Sequence, residues 1–307
     1  MQYIVNRLLQ TLLVIVGISF IAFGLMFLTG DPATMLLGEA ADTMTVEEVN
    51  EFRHLRGFDR PWLIQYFDFA SKAVMGDFGE SFRFHRPAFE VVLERVPATL
   101  ELTTFALILS VLVAVPIGVI SATRPNTWAD HLTTLGALIG QSIPDFWFGI
   151  LLMIVFGVTL KWLPISGRGD WRHLLLPGIT LAVFPLARNM RLTRSALLEV
   201  LHKDYIRTAR AKGLSRGSVI YGHALRNALL PLVTAVGLQI GFLLGGSVII
   251  ESIFAWPGVG RLIYLSINSK DFPVVLTGVV MLAISTTMAN LFVDLFYAYL
   301  DPRIRYT

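Results

Sequence analysis

The chain contains no cysteine, so it can form neither a disulfide framework nor a thiolate metal site. Charge is scarce: 15% of its 307 residues are Asp, Glu, Lys or Arg, against roughly 25% in ordinary soluble domains. It has no Gly-Lys pair, which excludes a P-loop and with it this route to cradling ATP. H-E-x-x-H is absent, and the histidines at 54, 85, 131, 173, 202 and 223 have no metal-ligand spacing. Neither catalytic nor metal-binding residues are therefore expected, nor is a cofactor bound by the chain itself. What the chain has instead is apolar surface: 54% of residues are hydrophobic and mean hydropathy is +0.65. One water-soluble core cannot hide so much, because a folded surface must still be wetted. The pI near 9.3 raises nucleic acid as a partner, but the composition points to membrane lipid and away from nucleic acid.

A membrane-spanning helix needs about 20 mostly apolar residues. Six stretches qualify as candidates: Leu8–Leu28, Thr99–Ala122, Leu132–Leu160, Leu174–Ala187, Ala228–Ile250 and Val274–Ala298. The third is long enough to tilt or break. The fourth is short and carries Pro177 and Pro185, so its length leaves a re-entrant segment open. The first holds 21 residues without a charge, too long for a signal-peptide core of about 7–15 residues. Basic residues set the orientation. With the N-terminus inside, the inner segments carry 13 Lys and Arg, nine of them between Arg188 and Arg226, and the short outer loops carry five. The expected fold is all-α and membrane-integral, with six transmembrane helices and both termini cytoplasmic. Its parts are a first helix (1–28), an extracytoplasmic segment (29–98), a five-helix core (99–298) with a cytoplasmic loop (188–227), and a cytoplasmic tail (299–307).

The outer segment has a net charge of about −5, from 12 acids and seven bases. Thr45-x-x-Glu48 reads as a capping box opening a helix near Val46, and Gly57 would end it. Trp62, Leu63, Tyr66, Phe67, Ala70 and Val74 recur at helical spacing, predicting a second, amphipathic helix along the membrane surface. The segment is either a small folded cap or a docking face for an external partner. The inner loop has a net charge of about +7. Ile206, Ala209 and Ala211 alternate there with Arg207, Arg210 and Lys212 before Gly213, and Val219–Asn227 reads as helix again. Helix, glycine stop and helix make a compact turn rather than a loose basic loop.

Few ionisable groups fall within the apolar stretches. Glu101 lies near an outer end and Asp294 near an inner one, where water or Arg303 and Arg305 would satisfy it. Asp145 lies deeper, in Gln141-Ser-Ile-Pro-Asp-Phe-Trp-Phe-Gly149. Pro144 frees a backbone carbonyl there, and such a break is acceptable only where it faces protein or water. Asp145 either lines a translocation path or makes a helix–helix hydrogen bond. Gly237, Gly241 and Gly245 recur every four residues around Gln239. That bare face serves close packing or leaves room for a pore. The loop from Glu251 to Arg261 is too apolar to be simply solvated and is expected to fold back on the bundle.

These pieces, in this order, resemble the membrane permease subunits of the dipeptide/oligopeptide/nickel group of ATP-binding-cassette (ABC) importers. The resemblance is carried by Gly30-Asp-Pro32, Gly76-Asp-Phe-Gly-Glu-Ser81, Arg95-Val-Pro-Ala-Thr99, Gly245-Gly-Ser247, Trp256-Pro-Gly258 and Asp301-Pro-Arg-Ile-Arg-Tyr306. The most specific stretch is Asp204-Tyr-Ile-Arg-Thr-Ala-Arg-Ala-Lys-Gly-Leu214, continuing through His223-Ala-Leu-Arg-Asn-Ala-Leu-Leu-Pro231. It is similar to the cytoplasmic Glu-Ala-Ala loop through which such permeases contact their ATPases. Ala209 and Gly213 match that pattern, Arg207 and Thr208 stand at its Glu and first Ala, and its later proline falls on Arg226.

The resemblance implies a type I ABC importer permease fold in a bacterial or archaeal cytoplasmic membrane. It implies half of a heterodimeric pore completed by a second homologous permease. Two P-loop ATPases carrying ATP and Mg would dock inside, and a solute-binding protein would deliver substrate outside. Ile206, Arg207, Thr208, Ala209, Arg210, Ala211, Lys212, Gly213 and Leu214 are the expected coupling helix. In that reading Ala209 and Gly213 allow close seating in an ATPase groove, with Arg207, Arg210 and Lys212 at its rim. Gln141, Asp145, Gln239, Gly237, Gly241 and Gly245 are the translocation-path candidates. Short peptides, glutathione-like peptides, nickel chelates and some sugars all suit such a permease. A homo-oligomeric channel or secondary transporter, and a scaffold holding a peripheral enzyme, are the alternatives the residues leave open.

Overall fold

The computed structural model describes residues 2–29, 32–37 and 43–300. The Gly30-Asp31 pair, the tail from Asp301 and the side chain of Asp294 lie outside the described residues. Among the described residues thirteen α-helices follow in order: α1 (Gln2–Thr29), α2 (Pro32–Leu37), α3 (Val46–Arg56), α4 (Trp62–Val74), α5 (Ala88–Leu93), α6 (Val96–Thr123), α7 (Trp128–Ser142), α8 (Asp145–Leu152), α9 (Trp171–Leu201), α10 (Asp204–Ala211), α11 (Leu225–Ile253), α12 (Val259–Asn268) and α13 (Phe272–Leu300). Two π-helical segments, Met153–Thr159 and Ser218–Ala224, extend α8 and precede α11.

Four helical stretches among these residues are long and apolar enough to cross a membrane: Arg7–Met26, Ala88–Thr123, Ser218–Ile253 and Phe272–Val293. The pair α7–α8 would be a fifth, bent by 104°. Local chemistry explains the bend. Proline disfavours helical geometry in the residue before it, and Ile143 is extended at φ −82°, ψ 128° ahead of Pro144. The stretch 174–187 lies within α9, whose 31 residues carry Pro177 and Pro185 and run on into Arg188, Arg191 and Arg194. That polar continuation keeps α9 as a whole out of the strongly apolar class.

The chain forms two compact units, Met1–Ala98 with Pro257–Met288, and Thr99–Trp256 with Ala289–Thr307. In the first unit, α3 is bounded as expected. Thr45 caps it with Glu48 in a reciprocal capping box, and Gly57 closes it at φ 73°. α4 packs on α1 through Tyr66, whose hydroxyl lies 2.9 Å from Ser19 Oγ and whose ring meets Phe20 edge-on. Val91, Val92, Leu262, Ile263 and Val274 form a second cluster. Asp271 is fully buried. Its carboxylate accepts from Ser81 Oγ at 2.5 Å and from the backbone N–H groups of Phe82 and Arg83. The Gly76–Ser81 motif is thereby tied to the turn before α13.

In the second unit α9 is the central helix, packed against α11, α7 and α8. Small residues let the helices close in. A Cβ on Gly118 would come within 2.7 Å of Thr193, and one on Gly178 would collide with the Phe105 ring. Such contacts are how helices associate where lipid removes the hydrophobic drive. The 251–261 loop folds back as its composition requires: Phe254 and Trp256 are buried, and Gly167 N–H donates to Phe254 O at 2.8 Å. Glu251, also buried, accepts from Thr99 Oγ1 at 2.7 Å.

Candidate functional site

α10 has eight residues, whereas an isolated helix needs roughly 12–15 to hold in water. It is anchored instead by packing. Ile206 is 0% exposed and Ala209 8%, both in a cluster with Val119 and Ala122 of α6, Leu197 of α9, and Val219 and Ala224. Asp204 in the first turn and Arg210 in the last also suit the helix dipole. Gly213 ends the element at φ 77°. A Cβ there would touch nothing within 4 Å, so the left-handed backbone is what requires glycine.

Arg207, Thr208, Arg210, Ala211, Lys212, Gly213 and Leu214 face outward. The structure thus divides the expected coupling residues. Ile206 and Ala209 point into the chain's own core, so the small size of Ala209 serves internal packing rather than a partner's groove. The other seven form a basic surface with an apolar edge, Leu214 and Tyr205 being 41% and 43% exposed. Arg207 lies 3.5 Å from Asp204, an exposed pair that adds little stability.

A frame braces this element. Asp130 is 3% exposed and takes a bidentate contact from Arg194, Nε at 2.6 Å and Nη2 at 2.8 Å. Ser121 Oγ and Asn126 N–H donate to the same carboxylate. Arg216 Nη2 donates to Thr123 O at 2.8 Å, and Asn227 Nδ2 to the Tyr205 hydroxyl at 3.0 Å. Sequence reasoning missed Asp130. Its signal was present: an acid in the first turn of a helix in an otherwise apolar stretch, needing a cation that only the fold supplies.

The path candidates separate as well. Gln239 is 3% exposed and spent on Asn189, its Nε2 donating to Oδ1 at 2.7 Å and its Oε1 accepting from Nδ2 at 3.1 Å. This closed amide pair clamps α11 to α9. Gly237 serves packing, since its Cβ would meet Val293 at 2.5 Å. Gly241 is buried, whereas Gly245 is exposed with nothing within 4 Å of its would-be Cβ. The structure does not gather the glycines into one open wall. Gln141 Oε1 accepts from Arg191 Nη1 at 2.7 Å on an exposed face. Asp145, at the break between α7 and α8, is half-buried. Among the described residues no hydrogen bond or ion pair to its side chain is formed, so the helix–helix bond left open for it is not made. Glu101 pairs with Arg168 at 2.6 Å. Asp170 caps α9, and its hydrogen bond from His173, with one from Arg172 N–H, holds its carboxyl below the usual range.

No cluster of three or more metal-ligating side chains occurs among the described residues. Gly213-Leu-Ser215-Arg-Gly217 does satisfy the G-x-S-x-G spacing of a hydrolase nucleophile elbow. The structural context differs: it follows a helix, not a strand, and Ser215 Oγ accepts from Ser218 N–H at 3.3 Å as a helix cap.

Residues 114–306 match the family described as binding-protein-dependent transport system inner membrane component, and residues 1–103 match its N-terminal membrane component. The chain belongs to this family. The permease is 40% identical over 335 residues to the dipeptide transport system permease protein DppB of Alkalihalophilus pseudofirmus, covering 100% of both chains. It is 40% identical over 307 residues to the glutathione transport system permease protein GsiC of Escherichia coli K12, covering 100% of this chain and 99% of that one. Among solved structures, an inward-facing MetNI methionine ABC transporter matches with TM-score 0.55 at 20% identity, over 69% of this permease and 96% of that chain. That likeness gives the fold, a type I ABC permease. The permease is a multi-pass inner-membrane protein and a pore subunit of an ATP-driven importer.

Proposed function

We propose that this permease forms half of a peptide-conducting pore, with dipeptides and glutathione-like peptides as its substrate class. The names of the relatives identical at 40% over the full chain support that class. In this reading it has six spans with both termini cytoplasmic, the fourth being the apolar part of α9. A second homologous permease completes the pore. Two P-loop ATPases bind ATP with Mg and dock on the inner loops, and an extracytoplasmic solute-binding protein delivers the peptide.

The observation that carries the coupling assignment is the division of α10 into a buried anchor and an exposed basic face. A short helix keyed into α6 and α9 by Ile206 moves with them as a rigid body. Displacement of its outer face by ATPase closure therefore reaches the spans directly. Arg207, Arg210 and Lys212 meet the ATPase, and Gly213 sets the turn that aims them. Gln141, Asp145 and Gly245 remain the path candidates.

The test is a mild-detergent pull-down of the tagged chain from its native membrane. Recovery of a second permease and P-loop ATPases, lost on Gly213→Glu, supports the reading. Recovery of only the chain or its own oligomers from a folded preparation overturns it in favour of a channel or secondary carrier.

A further inference from the structure

The break between α7 and α8 gathers polar groups that the coupling element does not use. The two helices meet at 104°. Pro144 has no N–H to offer the Gly140 carbonyl, and among the described residues no backbone hydrogen bond reaches the carbonyls of Gly140, Gln141 or Ser142. These ends carry the negative pole of α7. Asp145 follows at once, half-buried and without a bonding partner among the described residues. Its place in the first turn of α8 suits that helix's dipole but supplies it with no hydrogen bond. Within a span such acceptors must face water, protein or a ligand.

Two contacts bracket Asp145 on α9. Four residues before it, Gln141 Oε1 accepts from Arg191 Nη1 at 2.7 Å. Four residues after it, Gly149 is buried against Thr180, whose Cγ2 lies 3.1 Å from the place a Cβ would take. Residues i and i+4 share a helix face, so Asp145 stands on the side of α8 that meets α9 and not on the lipid side. Arg191 and Thr180 are about 16 Å apart along α9, and Asp145 falls between the two contacts in the chain. Among the described residues the Arg191 guanidinium makes that one bond, to a neutral amide, so neither Asp145 nor Arg191 is paired with an opposite charge. An extended dipeptide is about 7 Å long, and its ammonium and carboxylate carry the two complementary charges.

We infer that this break is a binding site for the charged termini of a short peptide, Asp145 accepting from the free α-ammonium group and Arg191 donating to the carboxylate. The inference rests on the peptide-importer reading and adds which part of the peptide this chain reads. The three N–H donors of an ammonium group match a carboxylate backed by helix-end carbonyls, the arrangement by which broken helices hold cations within membranes. The Arg191 charge disfavours a bare metal cation there, whereas a zwitterion uses both charges. Free termini are common to all unmodified peptides, so such a site passes many side chains while rejecting peptides with blocked ends.

The probe is alanyl-photoleucine, a dipeptide carrying a diazirine. It is applied to the assembled importer in nanodiscs with the binding protein left out, so that only the membrane complex selects. Irradiation and mass spectrometry locate the label, which should fall on residues 141–149 and 180–191. Unlabelled alanyl-alanine should compete, and its N-acetylated and C-amidated forms should each need about tenfold higher concentration, because each loses a charge-assisted bond. Asp145→Asn should erase the preference for the free amino end and keep that for the free carboxyl end; Arg191→Gln should do the reverse. Asp145→Glu should retain part of the first preference. An intact preference in both neutral variants, or no label at these residues in the native complex, overturns the site. Equal competition by tetramethylammonium marks a simple cation site and overturns it as well. A purely structural Asp145 predicts a lower melting temperature for Asp145→Asn with the order of competitors unchanged, and that result also overturns the site. If the native complex with its binding protein restored takes up no alanyl-alanine when ATP is added, the peptide-importer reading itself fails.

Discussion

Replacing Ile206 with alanine tests whether the packing of one buried side chain is what chiefly holds α10. Ile206 is 0% exposed and touches a cluster drawn from α6, α9 and the Ser218–Ala224 segment. Truncating a buried Ile to Ala costs about 2–5 kcal/mol. Neighbours fixed on three elements limit collapse into the cavity, so about 3 kcal/mol is a working figure. α10 has no autonomous stability to fall back on, and the loss falls on its docking rather than on the whole fold. A change of that size multiplies the detached population by roughly 150-fold. Hydrogen exchange followed by mass spectrometry on the assembled complex reads it. Amides of 204–214 should exchange about 100-fold faster, while those of α3 keep their native rate. ATP-driven uptake should fall in parallel, with the complex still assembled. Unchanged protection of 204–214 would refute the reasoning, and so would an equal loss in α3.

Three further outcomes follow from the same geometry. Arg194→Met strands the Asp130 carboxylate at a buried position and should cost about 3–5 kcal/mol; Arg194→Lys keeps the charge without the bidentate fork and should recover only part of the thermal stability of the complex. Asn189→Leu leaves the Gln239 amide without its partner, at about 1–3 kcal/mol; adding Gln239→Leu should restore most of the melting temperature, and neither variant should alter which peptides are taken up. Gly213→Ala places a side chain at φ 77° and should cost about 1–2 kcal/mol; Gly213→Asn should be milder, with uptake per ATP hydrolysed following the same order.

Local features were legible in the sequence where their causes are local. The capping box at Thr45 and Glu48, the stop at Gly57 and the break at Pro144 each depend on residues a few positions apart, and each stands where expected. The amphipathic pattern of α4 was legible too, although Tyr66 turns that helix onto α1 through Ser19, a partner 47 positions away. The site was less legible. The run 204–214 showed its pattern, but not which of its small residues faced inward; Ala209 packs inside only because α6 and α9 meet there. Asp130 with Arg194, and Asn189 with Gln239, join residues 64 and 50 positions apart. No periodicity reports such pairs. Gln239 illustrates the consequence: a lone polar group in an apolar helix reads equally as a path residue or a clamp, and the fold supplies the amide that makes it a clamp.

The most direct test of the central claim uses the absence of native cysteine in this chain. Arg210→Cys puts a single thiol on the exposed face of α10, and a short bifunctional reagent can then be applied to the assembled complex in native membranes. Cross-linking to a P-loop ATPase subunit is expected, with a yield that changes when ATP is added. Cross-links only to lipid or to other copies of this permease, from a complex that still contains the ATPases, would contradict the coupling role of α10.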